Sequence, residues 1–444
     1  MAYAEKRGQG PKPWRVKYMT PAGERSESGF ATKKAALMFG SEQESKIRRN
    51  EWIDPKDSRT TFGVFADLFM DAARLADSTR AKYDSFLKNH ILPEWENWEL
   101  GELMGAHLEI TGWVKDLHEE LMESSVASIF ACFSTIMNAA VAARKIQASP
   151  CPHVKVTSGS YEAEHLVAEP VQAVQASIRL GEAGGLSDLV LCMMDFWTGA
   201  RWSELVGQTH AEYDQLGKRI RIDDPLKETA GKLKKGGLAA GDAPPERAGR
   251  RPKKKGRTKT PAGTRWVKLP PFLALMYEML LAEREGERYV FVGDKGGLLR
   301  RSNYRRRLWR PAWDGDPANP DPALRVAPIL PYITFNEGRH TQRTWLAADG
   351  VPEVARAYRL GHKIKGMGSV YEHVTPEMDR QVMDCLTRRW VSALRELDES
   401  ERKRLLVVAP FLAKEVDAAM KDARGSEHGK TISQIPPKRA AGGQ

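Results

Sequence analysis

The sequence predicts a mainly α chain with small β elements, an α+β protein, and three observations carry that prediction. Residues 60 to 149 hold apolar side chains at helical spacing almost without a break. Strict in-and-out alternation is confined to short stretches such as PWRVKYMT, LGKRIRIDD and TRWVKLP. A chain of 444 residues with 41% hydrophobic content is long enough for two or three domains with real cores.

Taken in order, residues 1 to 10 read as a basic, flexible leader. In PWRVKYMT, Trp14, Val16 and Tyr18 face one way and Arg15 and Lys17 the other; TPAGER is a turn and SESGF a second strand. Thr32 has the oxygen to cap a helix through KKAALMFGSEQESKIRRN. These elements make a small sheet-plus-helix domain over residues 1–57 with a basic sheet face. TTFGVFADLFMDAARL, STRAKYDSFLKNHI, AHLEITGWVKDLHEEL and SSVASIFACFSTIMNAAVAARK make a compact helical domain over 60–150, punctuated by PEWENW and ASPCP. Arg80, Lys82 and Lys88 give one of its helices a basic face.

Residues 155 to 165 read as a polar linker, and 166–400 as a larger, mostly helical domain. In it, LSDLVLCMMDFW is a buried helix ended by Thr198-Gly199, and LGKRIRIDD and TRWVKLP are strands. They flank an insert, residues 227–258, in which Gly, Pro, Lys and Arg dominate; it reads as a solvated, mobile hairpin extension. RRSNYRRRLWR is a basic helix with interleaved aromatics, which makes Arg305 and Arg306 phosphate-contacting candidates. TPEMDRQVMDCLTRRWVSALREL is a helix; residues 401–444 add one more and a disordered tail. No internal repeat is present.

The balance of 69 Lys and Arg against 58 Asp and Glu gives a net charge of +11, which favours a nucleic-acid partner. The four cysteines are scattered without a CxxC pair and the ten histidines do not cluster at ligand spacing, so no metal site and no disulfide framework is expected. No secretory signal opens the chain and no apolar run looks long enough to span a bilayer, so a cytoplasmic protein without a membrane partner is expected.

Chemistry concentrates in four places. In TGARWSELVGQ, Arg201 follows a glycine turn, and Glu204 three residues on is spaced to hold its guanidinium. In NEGRHTQRTWLAADG, Arg339 and His340 lie near a helix start, an anion-binding arrangement. In VPEVARAYRLGH, Pro352 opens a helix, Gly361 ends it and His362 follows; Tyr371 comes nine residues later, past the Gly-rich KGMGS. In KGRTKTPAGTRWVKLP, Lys259 stands where the hairpin returns. Each signal has a bland reading, an ordinary ion pair or one more lysine among many, but the order Arg, Lys, Arg, His, Tyr is specific.

That order resembles the tyrosine recombinases, the phage integrase family. TGARWSEL matches the first box, RTKT the hairpin lysine, RHTQRTWLAADGV the second box, and LGH with YEHV the third. Upstream, 60–150 resembles the family's helical core-binding domain, and WRVKYMTPAGERS with TKKAA its amino-terminal arm-binding domain. The resemblance implies that Tyr371 attacks a DNA phosphodiester to form a 3′-phosphotyrosyl bond. Arg201 and Arg339 would then stabilise the pentavalent phosphate, His362 would hydrogen-bond it, and Lys259 would protonate the 5′-oxygen. It implies no cofactor, because the phosphotyrosine keeps the bond energy. It further implies a homotetramer on arm- and core-type attachment sites, exchanging strands through a Holliday junction. A host DNA-bending protein and an excisionase are its usual helpers. Candidate DNA contacts are Arg15, Lys17, Arg80, Lys82, Arg305 and Arg306.

One position departs: where the family usually carries histidine, three residues before the second arginine, this chain has Asn336. Asparagine can donate a hydrogen bond but cannot serve as a general base at neutral pH. Glu337 and Gly338 also replace the usual Asp-Leu. Competing readings are a resolvase, a type IB topoisomerase-like nicking and closing enzyme, and a catalytically degenerate DNA-binding regulator of the same fold. The arm-like domain disfavours the first two, and the retained Arg, Lys, Arg, His, Tyr set the last.

Overall fold

The structure, a computed structural model, describes residues 2–21, 23–49, 51–157, 165–229, 231–235, 238–239, 263–293, 295–362 and 374–421. Lys259, Tyr371, the preceding Gly366 and Gly368, most of the 227–258 insert, most of the expected linker and the tail from 422 lie outside the described residues. The chain divides into two units, residues 1–162 and 163–444.

The first unit opens with a three-stranded antiparallel sheet of Tyr3–Lys6, Trp14–Thr20 and Gly23–Phe30, in chain order. The period of two in the middle strand decides its faces. Val16 and Tyr18 are buried with Ala36 of the helix Lys33–Arg48, which Thr32 caps by accepting from Ala35 N at 3.1 Å. The expected flexible leader is corrected here. Residues 3–6 pair in register with residues 17 to 14, and Ala2 and Ala4 pack on the small core. Alanine carries too little apolar contrast for this strand to declare itself in sequence.

The helical part of this unit holds the four expected helices, Phe62–Ala72, Asp77–Phe86, His107–Glu120 and Glu123–Ala142. Phe62 and Phe133 stack with ring centroids 5.3 Å apart, and Trp95 and Trp113 close around them. Each such buried side chain contributes on the order of 1.5–3 kcal/mol. Contrary to expectation, one helix, Glu123–Ala142, is long and apolar enough to cross a membrane by length and composition. Its Val126, Ile129, Phe133, Ile136 and Met137 are instead buried in this core.

In the second unit the buried helix Leu186–Thr198 is the centre, flanked by Pro170–Gly184, Pro271–Glu283 and Phe335–Ala348. Trp197 on it meets Phe272, Trp345 and Trp390 edge-on. A second antiparallel sheet runs Tyr213–Asp214, Arg219–Ile222, Arg265–Lys268, joining the two strands expected on either side of the insert. The described start of the insert is a hairpin of Lys227–Thr229 with Lys232–Lys235. Lys227, Glu228 and Lys232 are exposed, whereas the Lys235 side chain is only 10% exposed and pairs with Glu212 at 2.7 Å. The carboxy-terminal helices Pro376–Glu396 and Glu399–Val408, and the helical residues 413–421, pack on their own unit, burying Leu405, Leu412 and Val416 in its core.

Among the described residues, two helices widen into π turns, Leu87–Ile91 and Arg305–Trp309. Each ends two residues before a proline, Pro93 or Pro311. Proline has no N–H for the carbonyl four residues back and its ring crowds that carbonyl, and the wider turn accommodates both. In the second case the widening leaves Tyr304 and Trp309 inside and Arg305, Arg306 and Arg307 exposed.

Candidate active site

Gly199 ends the central helix in the left-handed conformation, φ 61°, and its carbonyl accepts from Arg339 Nη1 at 2.7 Å. A side chain at 199 would be strained by that φ and would overlap Gln342 and Leu360. Two residues later the four-residue helix Trp202–Leu205 begins. At its start Glu204 Oε2 accepts from Arg201 N, and Oε1 from Arg201 Nη1, both at 2.9 Å. The Glu204 side chain is 3% exposed while that of Arg201 is 45% exposed, so a buried carboxylate steers a guanidinium that faces outward.

Arg339, on the helix Phe335–Ala348, is 4% exposed. Besides the Gly199 carbonyl it donates through Nη2 to the Leu360 carbonyl, and that nitrogen lies 2.8 Å from His362 Nε2. Gly361 makes this possible: in the left-handed conformation, φ 67°, it ends the helix Glu353–Leu360 and turns His362 back toward Arg339. The structure therefore brings Arg201, Arg339 and His362 together from three elements far apart in sequence.

The electrostatics concentrate positive charge at one place. Burial, then the positive charges of Arg201 and Arg265, push the Arg339 guanidinium down to about 9. Burial, then Arg339 and Arg201, push the His362 imidazole down to about 4. His362 is thus neutral at pH 7, and its Nε2 accepts from Arg339, which leaves Nδ1–H as a donor. Like charges held this close favour a bound oxyanion able to take hydrogen bonds from all of them.

Asn336 is exposed one turn before His340, with Nδ2 3.1 Å from His340 Nε2. His340 in turn stacks on His165, ring centroids 3.8 Å apart. Burial, then His165 and Arg339, lower the His340 pKa, which keeps it the acceptor toward Asn336. Lys259 and Tyr371 lie outside the described residues.

Sequence reasoning missed two partners. Arg265 is fully buried and donates to Glu204 Oε2 at 3.0 Å. The clue was available, because alternation in TRWVKLP puts Arg265 on the same face as the apolar Val267 and Leu269. Asp195, on the central helix, is fully buried and its carboxyl has no hydrogen-bond partner among the described residues. Burial holds its pKa well above the usual carboxylate range, against the pull of Arg339. It occupies the space where a side chain at 338 would stand. That is why Gly338 sits beside Arg339 in place of a larger residue.

Of the candidate DNA contacts, Arg15 pairs with Glu5 at 3.7 Å and Lys17 with Glu24 at 3.4 Å. Arg80 donates to the Ala73 carbonyl at 3.1 Å, and Lys82 lies over the Phe86 ring. Arg305 and Arg306 are exposed and line an open groove of about 710 Å³ with Arg310 and Asp314.

No family model matches the chain. A candidate prophage phiRv2 integrase of Mycobacterium tuberculosis H37Rv is 22% identical over 386 residues, 84% of this chain and 92% of that protein. Among solved structures, the Tn1549 transposon integrase in complex with transposon right end DNA superposes with a TM-score of 0.52 at 15% identity, covering 73% of this chain and 99% of that one. The same integrase in complex with circular intermediate DNA gives a TM-score of 0.52, at 15% identity over 73% and 99% of the two chains. The α-rich fold with small sheets is shared with the Tn1549 transposon integrase over 73% of this chain, as the motif resemblance implied.

Proposed function

We propose that the chain is a site-specific DNA recombinase, an integrase that cuts and rejoins DNA through a 3′-phosphotyrosyl intermediate. The observation that carries this reading is the convergence of Arg201, Arg339 and neutral His362 on one anion-seeking spot. The third box then supplies a tyrosine nine residues after that histidine. The Tyr371 oxygen attacks the phosphorus, forming the P–O(Tyr) bond as the bond to the 5′-oxygen breaks. Lys259 gives that oxygen its proton, and a free 5′-hydroxyl leaves. Arg201 and Arg339 stabilise the charge on the non-bridging oxygens, and His362 adds a hydrogen bond through Nδ1–H. Asn336 donates at the place of the usual histidine, and the Tyr371 proton passes to water or to the phosphate. Attack by a 5′-hydroxyl from a partner duplex reverses the step and exchanges strands, with no net bond energy to supply.

The domain reading follows: an arm-type DNA-binding domain over 1–57, a core-binding domain over 60–150, a catalytic domain over 166–400, and a carboxy-terminal helix with tail over 401–444. The partners are double-stranded attachment sites of arm and core type, further copies of the chain in a tetramer, a host bending protein and an excisionase. The place of action is DNA in a bacterial cytoplasm, and the outcome is integration and excision of a phage or mobile element. The Tn1549 integrase complexes with transposon-end and circular-intermediate DNA support this reading.

The test is a nicked suicide duplex made from DNA flanking the gene, chosen because the chain binds it. A protein–DNA adduct that survives SDS with wild type and is absent with Tyr371→Phe is expected. Clear binding without adduct, or an adduct that persists in Tyr371→Phe, overturns the reading; the first outcome favours a DNA-binding regulator and makes Asn336 the suspect.

A further inference from the structure

The buried Arg265 side chain ties together three segments of the candidate site. Its Nη2 donates to Glu204 Oε2 at 3.0 Å, its Nε to the Arg359 carbonyl at 2.7 Å, and its Nη1 to the Gly263 carbonyl at 3.0 Å. Glu204 belongs to the Arg201 helix. Arg359 immediately precedes Leu360, whose carbonyl takes Arg339, and Gly263 lies four residues after Lys259 in sequence. The five donors of a guanidinium in a fixed fork make such a three-way brace possible, and a lysine has no equivalent geometry.

The charge arithmetic gives this brace a second consequence. Glu204 carries one negative charge and is shared by two guanidiniums, Arg201 through Oε1 and Arg265 through Oε2. Burial alone would raise the Glu204 carboxyl, but Arg265 first and Arg201 after it leave it below the usual carboxylate range. The trio therefore keeps one net positive charge. The Arg265 side chain is 0% exposed and cannot reach a ligand, whereas that of Arg201 is 45% exposed. We propose that Arg265 is a positioning residue that occupies half of Glu204 so that Arg201 keeps its charge for the phosphate. Without it, Glu204 closes on Arg201 with both oxygens, and an exposed cation becomes a neutral pair.

This inference rests on the recombinase reading only for its catalytic consequence, and the test separates the two. Full-length wild type, Arg265→Gln, Arg265→Lys and the double variant Glu204→Gln/Arg265→Gln are compared. Three readouts are taken: thermal midpoint, binding of inorganic phosphate by calorimetry with Arg201→Ala as the control for the site, and single-turnover adduct formation on the suicide duplex. Arg265→Gln is expected to weaken phosphate binding about 10-fold and to slow adduct formation about 30- to 100-fold while duplex affinity changes less than about 3-fold. Removing the Glu204 charge in the double variant is expected to recover at least about half of the phosphate loss on a logarithmic scale, because the captured Arg201 is released. Arg265→Lys is expected to fall between wild type and Arg265→Gln.

A merely structural brace predicts otherwise: a lower thermal midpoint, a parallel loss of duplex binding, and a double variant worse than either change alone. That pattern, or phosphate binding unaltered in Arg265→Gln, overturns the proposal. If wild type forms no adduct yet phosphate binding falls and recovers as described, Arg265 holds its role and the recombinase reading is what fails.

Discussion

Arg201 and Arg339 are the same side chain placed in two opposite situations, near enough to feel each other's charge. Arg201 leaves the start of a four-residue helix with its side chain 45% exposed, tethered by a single buried carboxylate. Arg339 is 4% exposed and spends its donors on the Gly199 and Leu360 carbonyls and on His362. The first costs the fold little and keeps donors free for a ligand. The second is part of the core: it fastens the end of the central helix to the turn that carries His362, and burial there lowers its pKa to about 9. In the proposed anion site, one cation would recognise and the other organises.

The largest effect expected from breaking this comparison is that of Arg339→Ala. It leaves two buried carbonyls without their donor and should lower stability by about 2–4 kcal/mol while abolishing adduct formation. Arg201→Ala should leave the denaturation midpoint nearly unchanged, within about 1 kcal/mol, since Glu204 keeps Arg265, yet slow adduct formation about 10²- to 10³-fold. Chemical denaturation beside single-turnover cleavage measures both. Equal stability losses in the two variants would sink the division of labour.

Much of this contrast was legible in the sequence, and its limits are physical. The spacing of Arg201 and Glu204 announced their pairing, and Thr198-Gly199 and Leu360-Gly361 announced the helix ends, because only glycine takes those left-handed turns without strain. Polar side chains on apolar faces carry the rest of the signal. Arg265 lies in an ordinary-looking strand and Asp195 in a strongly apolar helix, and alternation and helical period put both inside. The Tyr3–Lys6 strand was hidden by small side chains, and the π turns by a local effect of proline that hydrophobic pattern does not register. Which carbonyls Arg339 holds depends on tertiary contacts across 140 residues, beyond the reach of any local pattern.

Asp195 and Gly338 sharpen the organising half of the comparison. Gly338→Ala places a methyl against the Asp195 carboxyl and should cost about 1–3 kcal/mol, with a smaller loss of cleavage as Arg339 is displaced. Asp195→Ala in the same chain removes the obstacle and should return at least half of that stability. The pair is read by denaturation of the two single variants and the double variant. Additive losses would mean that the two residues do not compete for one space.

The smallest effect belongs to His362 and is seen in pH dependence. Its folded pKa, about 4, lies below the ordinary 6.5, so between those values the unfolded chain binds more protons than the folded one. Stability therefore rises with pH through that window, and acidification from 6.5 toward 4 removes it. In His362→Gln this slope should shrink, because the amide cannot be protonated there but can still accept from Arg339. Denaturation curves at pH 4.5, 5.5 and 7 on both proteins measure it, with the variant close to wild type at pH 7 and overtaking it toward the acid end. His340, whose pKa is also lowered, contributes in the same direction and remains in both proteins, so only the difference between the two slopes reports on His362. A slope unchanged by the substitution would mean that the imidazole beside Arg339 is not held neutral. The recognising cation would then face a third positive charge instead of a hydrogen-bond donor.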